Sequence, residues 1–231
     1  MAAGSYAIFG ASGFGREVMP VFVDSLRRAG VCHDVIFVDD NPSAAVNGYD
    51  VVGYDEWVRR DEFPKLVSIA IASPSLRRSL AERCESDGVG FFEVRAADVL
   101  EMDSVKVGVG AILCPRVTLT SNIRIGRHFH CNIYSYVAHD CVIGDFVTFA
   151  PGVKCNGNVV IEDDVYVGTG AIIKQGRPGD PLVIGRRAVI GMGAVVTRSV
   201  PAGETVVGNP ARRLIQGAPL QPSGASSGAE G

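Results

Sequence analysis

The sequence predicts two joined folds: a small parallel α/β domain over residues 1–100, then a β-solenoid over residues 101–214. Two observations carry this. Short apolar runs alternate with helical periodicities up to about residue 100, and a six-residue apolar repeat then takes over. A small, polar tail follows at 215–231, with a composition that predicts disorder.

In the first region "YAIFG" (6–10) is a short strand, and "GREVMPVFVDSLRRAG" (15–30) has helical spacing with a terminal glycine. "DVIFVDD" (34–40) and "LVSIAIAS" (66–73) are further strands. "SPSLRRSLAERCESDG" (73–88) is a second helix with a serine N-cap and Gly88 as terminator. This alternation predicts a parallel sheet flanked by helices.

In the second region, stepping by six from Val107 gives Leu113, Leu119, Ile125, Cys131, Val137, Ile143, Phe149, Cys155, Ile161, Val167 and Ile173, all apolar. The position four residues after each is small or apolar up to Ala171. These two positions are two apart across the repeat boundary, so both side chains point to one side of a short strand. Gly, Asn and Asp crowd the intervening corners. Val107-Gly108, Ile125-Gly126 and Ile143-Gly144 recur every 18 residues, which makes three repeats per coil and a triangular prism. The member after Ile161 is Ile184, and 184 − 161 = 23 = 18 + 5, so five extra residues leave the prism within "KQGRPGDPL".

Bulk properties exclude several classes. A net charge of −3 gives no footprint for nucleic acid or an anionic membrane. No apolar run approaches the ~20 residues that span a bilayer, and the N-terminus has no signal-peptide pattern. The six cysteines form no CxxC pair, and several fall in core phase. A reduced, cytoplasmic protein with structural thiols is the expectation.

The one polar constellation inside the repeat is "YSYVAHDCVIGD" (134–145). His139 and Asp140 are the third and fourth residues of their repeat, so both project from a corner. One coil away, ~4.8 Å along the prism, His139 meets Ser121 and Gly157, and Asp140 meets Asn122 and Asn158. A carboxylate beside the ring orients it and raises its basicity, and a bare glycine amide suits an oxyanion. Asn132, Tyr134 and Tyr136 are expected on the same face. A solvated corner histidine and a catalytic base both remain open on these residues alone. A three-histidine zinc site is a weaker alternative, because His128 and His130 do not stack with His139 at the 18-residue period.

The hexapeptide run resembles the left-handed β-helix acyltransferases, and residues 5–214 resemble their sugar-modifying, PglD/NeuD-like branch. The motifs are "GASGFGRE" (10–17), "VIFVDD" (35–40), "AHDCVIGDF" (138–146), "GNVVIEDDVYVGTGA" (157–171) and "VVGNPAR" (206–212). The resemblance implies that the first region is Rossmann-like and the prism left-handed. It implies an acetyl-CoA-dependent N-acetyltransferase of a nucleotide-linked amino sugar, acting in surface-glycan synthesis as a homotrimer with clefts between prisms. His139 becomes the general base and Asp140, where relatives often have Glu, its polarising partner. Acetyl-CoA contacts fall on Thr148, Gly157, Thr169 and Met192, with Thr148 standing where a relative has histidine.

The same resemblance places the nucleotide sugar on Ser12, Gly13, Phe14, Asp39, Asp40 and Ala72, the last where relatives commonly have glycine. By itself "GASGFG" has G-x-x-G-x-G spacing, equally the mark of a tight strand-to-helix turn. Ser12 is no hydrolase nucleophile, because G-x-S-x-G needs glycine where Phe14 stands. The alternatives are sugar O-acetylation of the sialic acid type, or a non-catalytic trimeric sugar-binding scaffold. No metal, nucleic acid or membrane partner is expected.

Overall fold

The computed structural model describes residues 4–31, 34–42 and 44–214. The expected tail at 215–231 lies outside them. The N-terminal part runs β1 (Ser5–Phe9), α1 (Gly13–Arg28), β2 (Val35–Asp39), β3 (Val51–Gly53), α2 (Tyr54–Val58), β4 (Lys65–Ile69), α3 (Pro74–Ser86) and β5 (Gly90–Phe91). The strands form one parallel sheet in the order β3-β2-β1-β4-β5. Chain order reverses between β1 and β4, which opens a crevice beyond their C-terminal ends. Ser73 caps α3 by accepting from Leu76 N at 3.5 Å, with Pro74 in the first turn. The short β3 and α2, which include the fully buried Trp57, carried too few residues for a periodicity to register.

The second part is a prism of three sheets whose strands are mostly two residues long, parallel except for a final antiparallel strand at Arg212–Arg213. Partners are 18 residues apart, as in Tyr136↔Lys154, Val142↔Val160 and Thr148↔Tyr166. Inward side chains from Leu113 to Val206 make one continuous core. Across the insertion the register becomes 23, Ile161↔Ile184, and residues 174–181 form the outward loop that the sequence predicts.

The prism starts before residue 101. Val94–Arg95 and Leu100–Glu101 already pair with Ile112–Leu113 and Thr118–Leu119. The hexapeptide pattern is blind here because the positions in core phase are Arg95 and Glu101, which pair with each other over the open end. Glu93 also binds Arg95.

The N-terminal part packs on the sheet carrying Ile112, His130 and Thr148, whose outward side chains are all buried. Phe14 lies on the His130 ring at 5.2 Å, and His130 Nε2 is 2.9 Å from the Ile69 carbonyl. Arg77 of α3 is fully buried at the junction. It donates to Ile71 O (2.7 Å) and Ala72 O on its own side, and to His128 O (3.1 Å), Phe146 O (2.7 Å) and Thr148 Oγ1 (3.0 Å) of the prism. The thiols of Cys84, Cys114 and Cys131 are buried and free, and burial pushes them up, to about 11 for Cys84 and about 12 for Cys114.

His128 sits between Phe91 (4.4 Å) and Phe146 (4.9 Å), with neither ring nitrogen hydrogen-bonded. Burial first, then Arg127 and other arginines, pull it down to about 3. The unfolded chain therefore takes up a proton near pH 6.5 that the folded chain refuses until about 3. His128's contribution is intact above pH 6.5 and drains away as pH falls through that window, by up to ~1.4 kcal/mol per pH unit. His128→Phe, which keeps the ring stack, should flatten the decline in melting temperature between pH 7 and pH 4. An unchanged slope in that pH series contradicts the assignment.

Candidate active site

His139 and Asp140 stand at the corner between strand Tyr136–Val137 and strand Val142–Ile143, the prism edge opposite the docked sheet. The corner turns on Asp140, whose φ is 58°, as it does on Asn122 (58°) and Asn158 (55°) one coil to either side. Asp and Asn tolerate this left-handed conformation better than most side chains. The turn brings Asp140 Oδ2 to 2.7 Å from His139 Nδ1, while Oδ1 accepts from Asn122 Nδ2 at 3.2 Å. These two bonds, the His139 one first, hold the Asp140 carboxyl below its usual range. A carboxylate facing Nδ1 assigns the proton to that nitrogen and leaves the Nε2 lone pair outward on a half-exposed ring.

Gly157 makes room for the ring. A Cβ there would stand 2.5 Å from His139 Cε1 and 2.6 Å from Nε2. Its N–H donates to no group among the described residues. Asn158 N binds the His139 carbonyl at 3.0 Å, so the two coils are locked in register at this corner. Tyr136 donates to Asn156 Oδ1 at 2.9 Å, and Asn156 donates to Ile173 O at 2.8 Å, a brace beside the histidine. The loop 174–181 leaves the prism at this same edge, with Gly176 N on Gly157 O and Leu182 N on Asn158 O. Asn132 and Tyr134, expected beside His139, lie at the preceding corner instead, where the docked sheet ends.

The other expected acetyl-CoA residues divide. Gly157 is in place under the imidazole. Thr169 and Met192 are exposed and stack on each other, with Gly193 N on Thr169 O at 2.8 Å, on the Asn132/Tyr134 edge rather than on the His139 edge. Thr148 corrects the expectation. Its side chain is on the outward side of the docked sheet, 1% exposed, where Oγ1 donates to Ala72 O (3.0 Å) and accepts from Arg77. A hydroxyl spent inside the interface has nothing to offer a thioester.

The expected sugar-nucleotide residues gather at the crevice between β1 and β4, with two exceptions. Ser12 and Gly13 are exposed at the start of α1, and the Ser12 side chain makes no capping bond. The turn is tight: a Cβ on Gly15 would fall 1.8 Å from Gly10 O. Asp39 ties the turn to β2, accepting from Ala11 N (3.1 Å) and Asn41 N (3.0 Å). Ala72 is exposed across the crevice. Phe14 turns onto His130 and serves domain packing. Asp40 points to α3 and pairs with Arg83 at 2.8 Å. Sequence reasoning missed Arg77, although it occupies an apolar phase of α3 with Leu80, Ala81 and Cys84, a signal available in the sequence.

A parallel β-helix with an oriented histidine at a glycine-floored corner is the arrangement expected of the left-handed β-helix acyltransferases, and the relatives of this chain are of that class. Residues 6–84 match the PglD N-terminal domain family. The chain is 48% identical to GDP-perosamine N-acetyltransferase of Escherichia coli O157:H7 over 90% of its length and 96% of the relative. It superposes on WeeI from Acinetobacter baumannii AYE with a TM-score of 0.87 and 52% identity, covering 91% of this chain and 99% of that one. For PerB from Caulobacter crescentus, solved with CoA and GDP-perosamine, the TM-score is 0.80 at 28% identity, over 92% and 98% of the chains. The chain belongs to the PglD-like family of sugar acyltransferases.

The glycine floor is directly testable. In Gly157→Ala the new methyl displaces the imidazole, and a shift of about 1 Å in a reacting group costs ~10²-fold in rate. Stability should stay within about 0.5 kcal/mol, since the clash is with a half-exposed side chain. Acyl-transfer assays beside thermal melts check both halves.

Proposed function

We propose that this chain acetylates the amine of a nucleotide-linked amino sugar, using acetyl-CoA, in bacterial surface-glycan synthesis. The observation that carries it is the 2.7 Å bond between His139 Nδ1 and Asp140, which leaves Nε2 free to take a proton. The names of the relatives support the substrates: a GDP-perosamine N-acetyltransferase, and a homologous structure holding CoA and GDP-perosamine.

In the reaction the amine nitrogen attacks the thioester carbon while Nε2 of His139 removes its proton. The carbonyl oxygen gains charge and takes the Gly157 N–H. The C–S bond then breaks, and the CoA thiolate recovers the proton from the imidazolium. A thioester is already activated, so no acyl-enzyme forms and the protein's work is positioning and proton transfer. Asp140, ionised at neutral pH, holds the tautomer and stabilises the transient imidazolium.

A homotrimer fits the placement of the two half-sites. The crevice of Ser12 and Ala72 lies on the docked side, whereas His139 is on the opposite edge. A neighbouring prism supplies the base to each crevice, and its Thr169/Met192 edge lies open for CoA.

CoA thiol release with GDP-perosamine as the first acceptor tests the proposal. His139→Ala should lose at least about 10²-fold in kcat with an unchanged melting temperature, and Asp140→Asn an intermediate amount. A near-normal rate in His139→Ala sinks the assignment of the base, and turnover with hydroxyl but not amine acceptors sinks that of the acceptor.

A further inference from the structure

The outward row of the sheet that begins at the His139 corner reads Lys106, Arg124, Val142, Val160, Val183 along the prism. Its upper part is apolar, whereas its first two members are cations in direct register, Arg124↔Lys106. Like charges facing each other across a ladder destabilise it. Neither side chain finds a carboxylate or any other hydrogen-bond partner among the described residues, and both are exposed. Several other surface arginines do pair with carboxylates: Arg78 with Asp164, Arg83 with Asp40 and Asp55, Arg127 with Glu85.

The two cations flank a groove of about 400 Å³, lined also by Ser104, Asn122 and Asp140. Ser104, Asn122 and Asp140 are the corner residues of three successive coils. The groove therefore descends from the proposed catalytic pair, with Arg124 one coil and Lys106 two coils below Asp140's level, steps of ~4.8 Å each. The Asp140 carboxylate also lines the groove, with Oδ2 engaged by His139 and Oδ1 by Asn122.

We propose that Lys106 and Arg124 form a diphosphate-binding subsite that anchors a phosphorylated substrate next to His139. Both substrates of the proposed reaction contain a diphosphate, in the nucleotide sugar or in CoA. The spacing favours the nucleotide sugar: an amine held at His139 leaves its diphosphate about one sugar ring away along the groove. The subsite rests on the proposed acyl transfer for its place in turnover, but not for its affinity.

Inorganic pyrophosphate is the direct probe. It should raise the melting temperature of the wild type and of the surface control Arg59→Gln, and leave Lys106→Gln/Arg124→Gln unmoved. In steady-state assays the double variant should raise KM for the nucleotide sugar about tenfold or more, the worth of one charge-assisted hydrogen bond, with kcat within about twofold. An amino sugar lacking phosphate should react alike with variant and wild type. If KM rises instead for acetyl-CoA, and not for a short acetyl thioester without the nucleotide, the anchored diphosphate belongs to CoA and the subsite stands. Unchanged KM values for both substrates, with pyrophosphate shifting variant and wild type equally, overturn it. A wild type that releases no CoA thiol but still responds to pyrophosphate through these two residues refutes the acyl-transfer reading and leaves the subsite standing.

Discussion

From Ser104 to Gly170 every corner of the prism turns on one residue in the left-handed backbone region, and the candidate site depends on that constraint. Over these coils the fourth residue of the repeat has positive φ: Ser104, Gly110, Arg116, Asn122, His128, Tyr134, Asp140, Phe146, Gly152, Asn158, Asp164 and Gly170. Glycine takes this conformation freely, and other residues hold it at a cost that the surrounding ladder must offset. The constraint fixes what each corner side chain can reach. Asp140 can turn back to His139 Nδ1 and down to Asn122 because its own φ is 58° and because Asn122 repeats the turn 18 residues earlier. The His–Asp geometry is thus held by backbone that cannot relax without breaking coil register.

The same corners, in other side chains, join the two halves of the molecule. His128 and Phe146 are at corners of the edge next to the docked sheet, and they stack on each other under Phe91. Arg77 reaches carbonyls of both corners and of the loop after β4. Its ties run to backbone and to one hydroxyl rather than to a carboxylate, so the guanidinium works as a many-pronged spacer. That spacer fixes the distance between the crevice at Ala72 and the body of the prism.

The prism was legible in the sequence because six-residue phase is a property of sequence alone, and the residues from Leu113 to Ile173 obey it. Its first coil was not, since Arg95 and Glu101 occupy the core phase and their mutual ion pair is visible only in three dimensions. The stacking of His139 on Gly157 and of Asp140 on Asn122 followed from adding 18. Thr148 shows where that arithmetic ends: phase says the side chain points outward, but not that a second domain covers that sheet. For Asp40 the limit is similar, because a residue ending a strand can serve a ligand or a neighbouring helix, and its pairing with Arg83 is visible only in three dimensions. Asn132 and Tyr134 are close to His139 in sequence yet belong to another edge, a distinction that depends on which third of the coil a residue occupies.

A solenoid of two-residue strands has few ways to move. Each coil is bonded to the next along three sheets, and the His139 corner is pinned from both sides, by Asp140 N on Ser121 O and Asn158 N on His139 O. Under the proposed reaction, a base carried on such a frame is positioned before any substrate arrives, which suits an electrophile that is already activated and a step whose main demand is alignment. The adaptable elements near it are the loop 174–181 and the long side chains of the groove below it. Rigid backbone at the corner and longer side chains around it divide the proposed work, the corner holding the reacting geometry and the neighbouring side chains meeting the substrate.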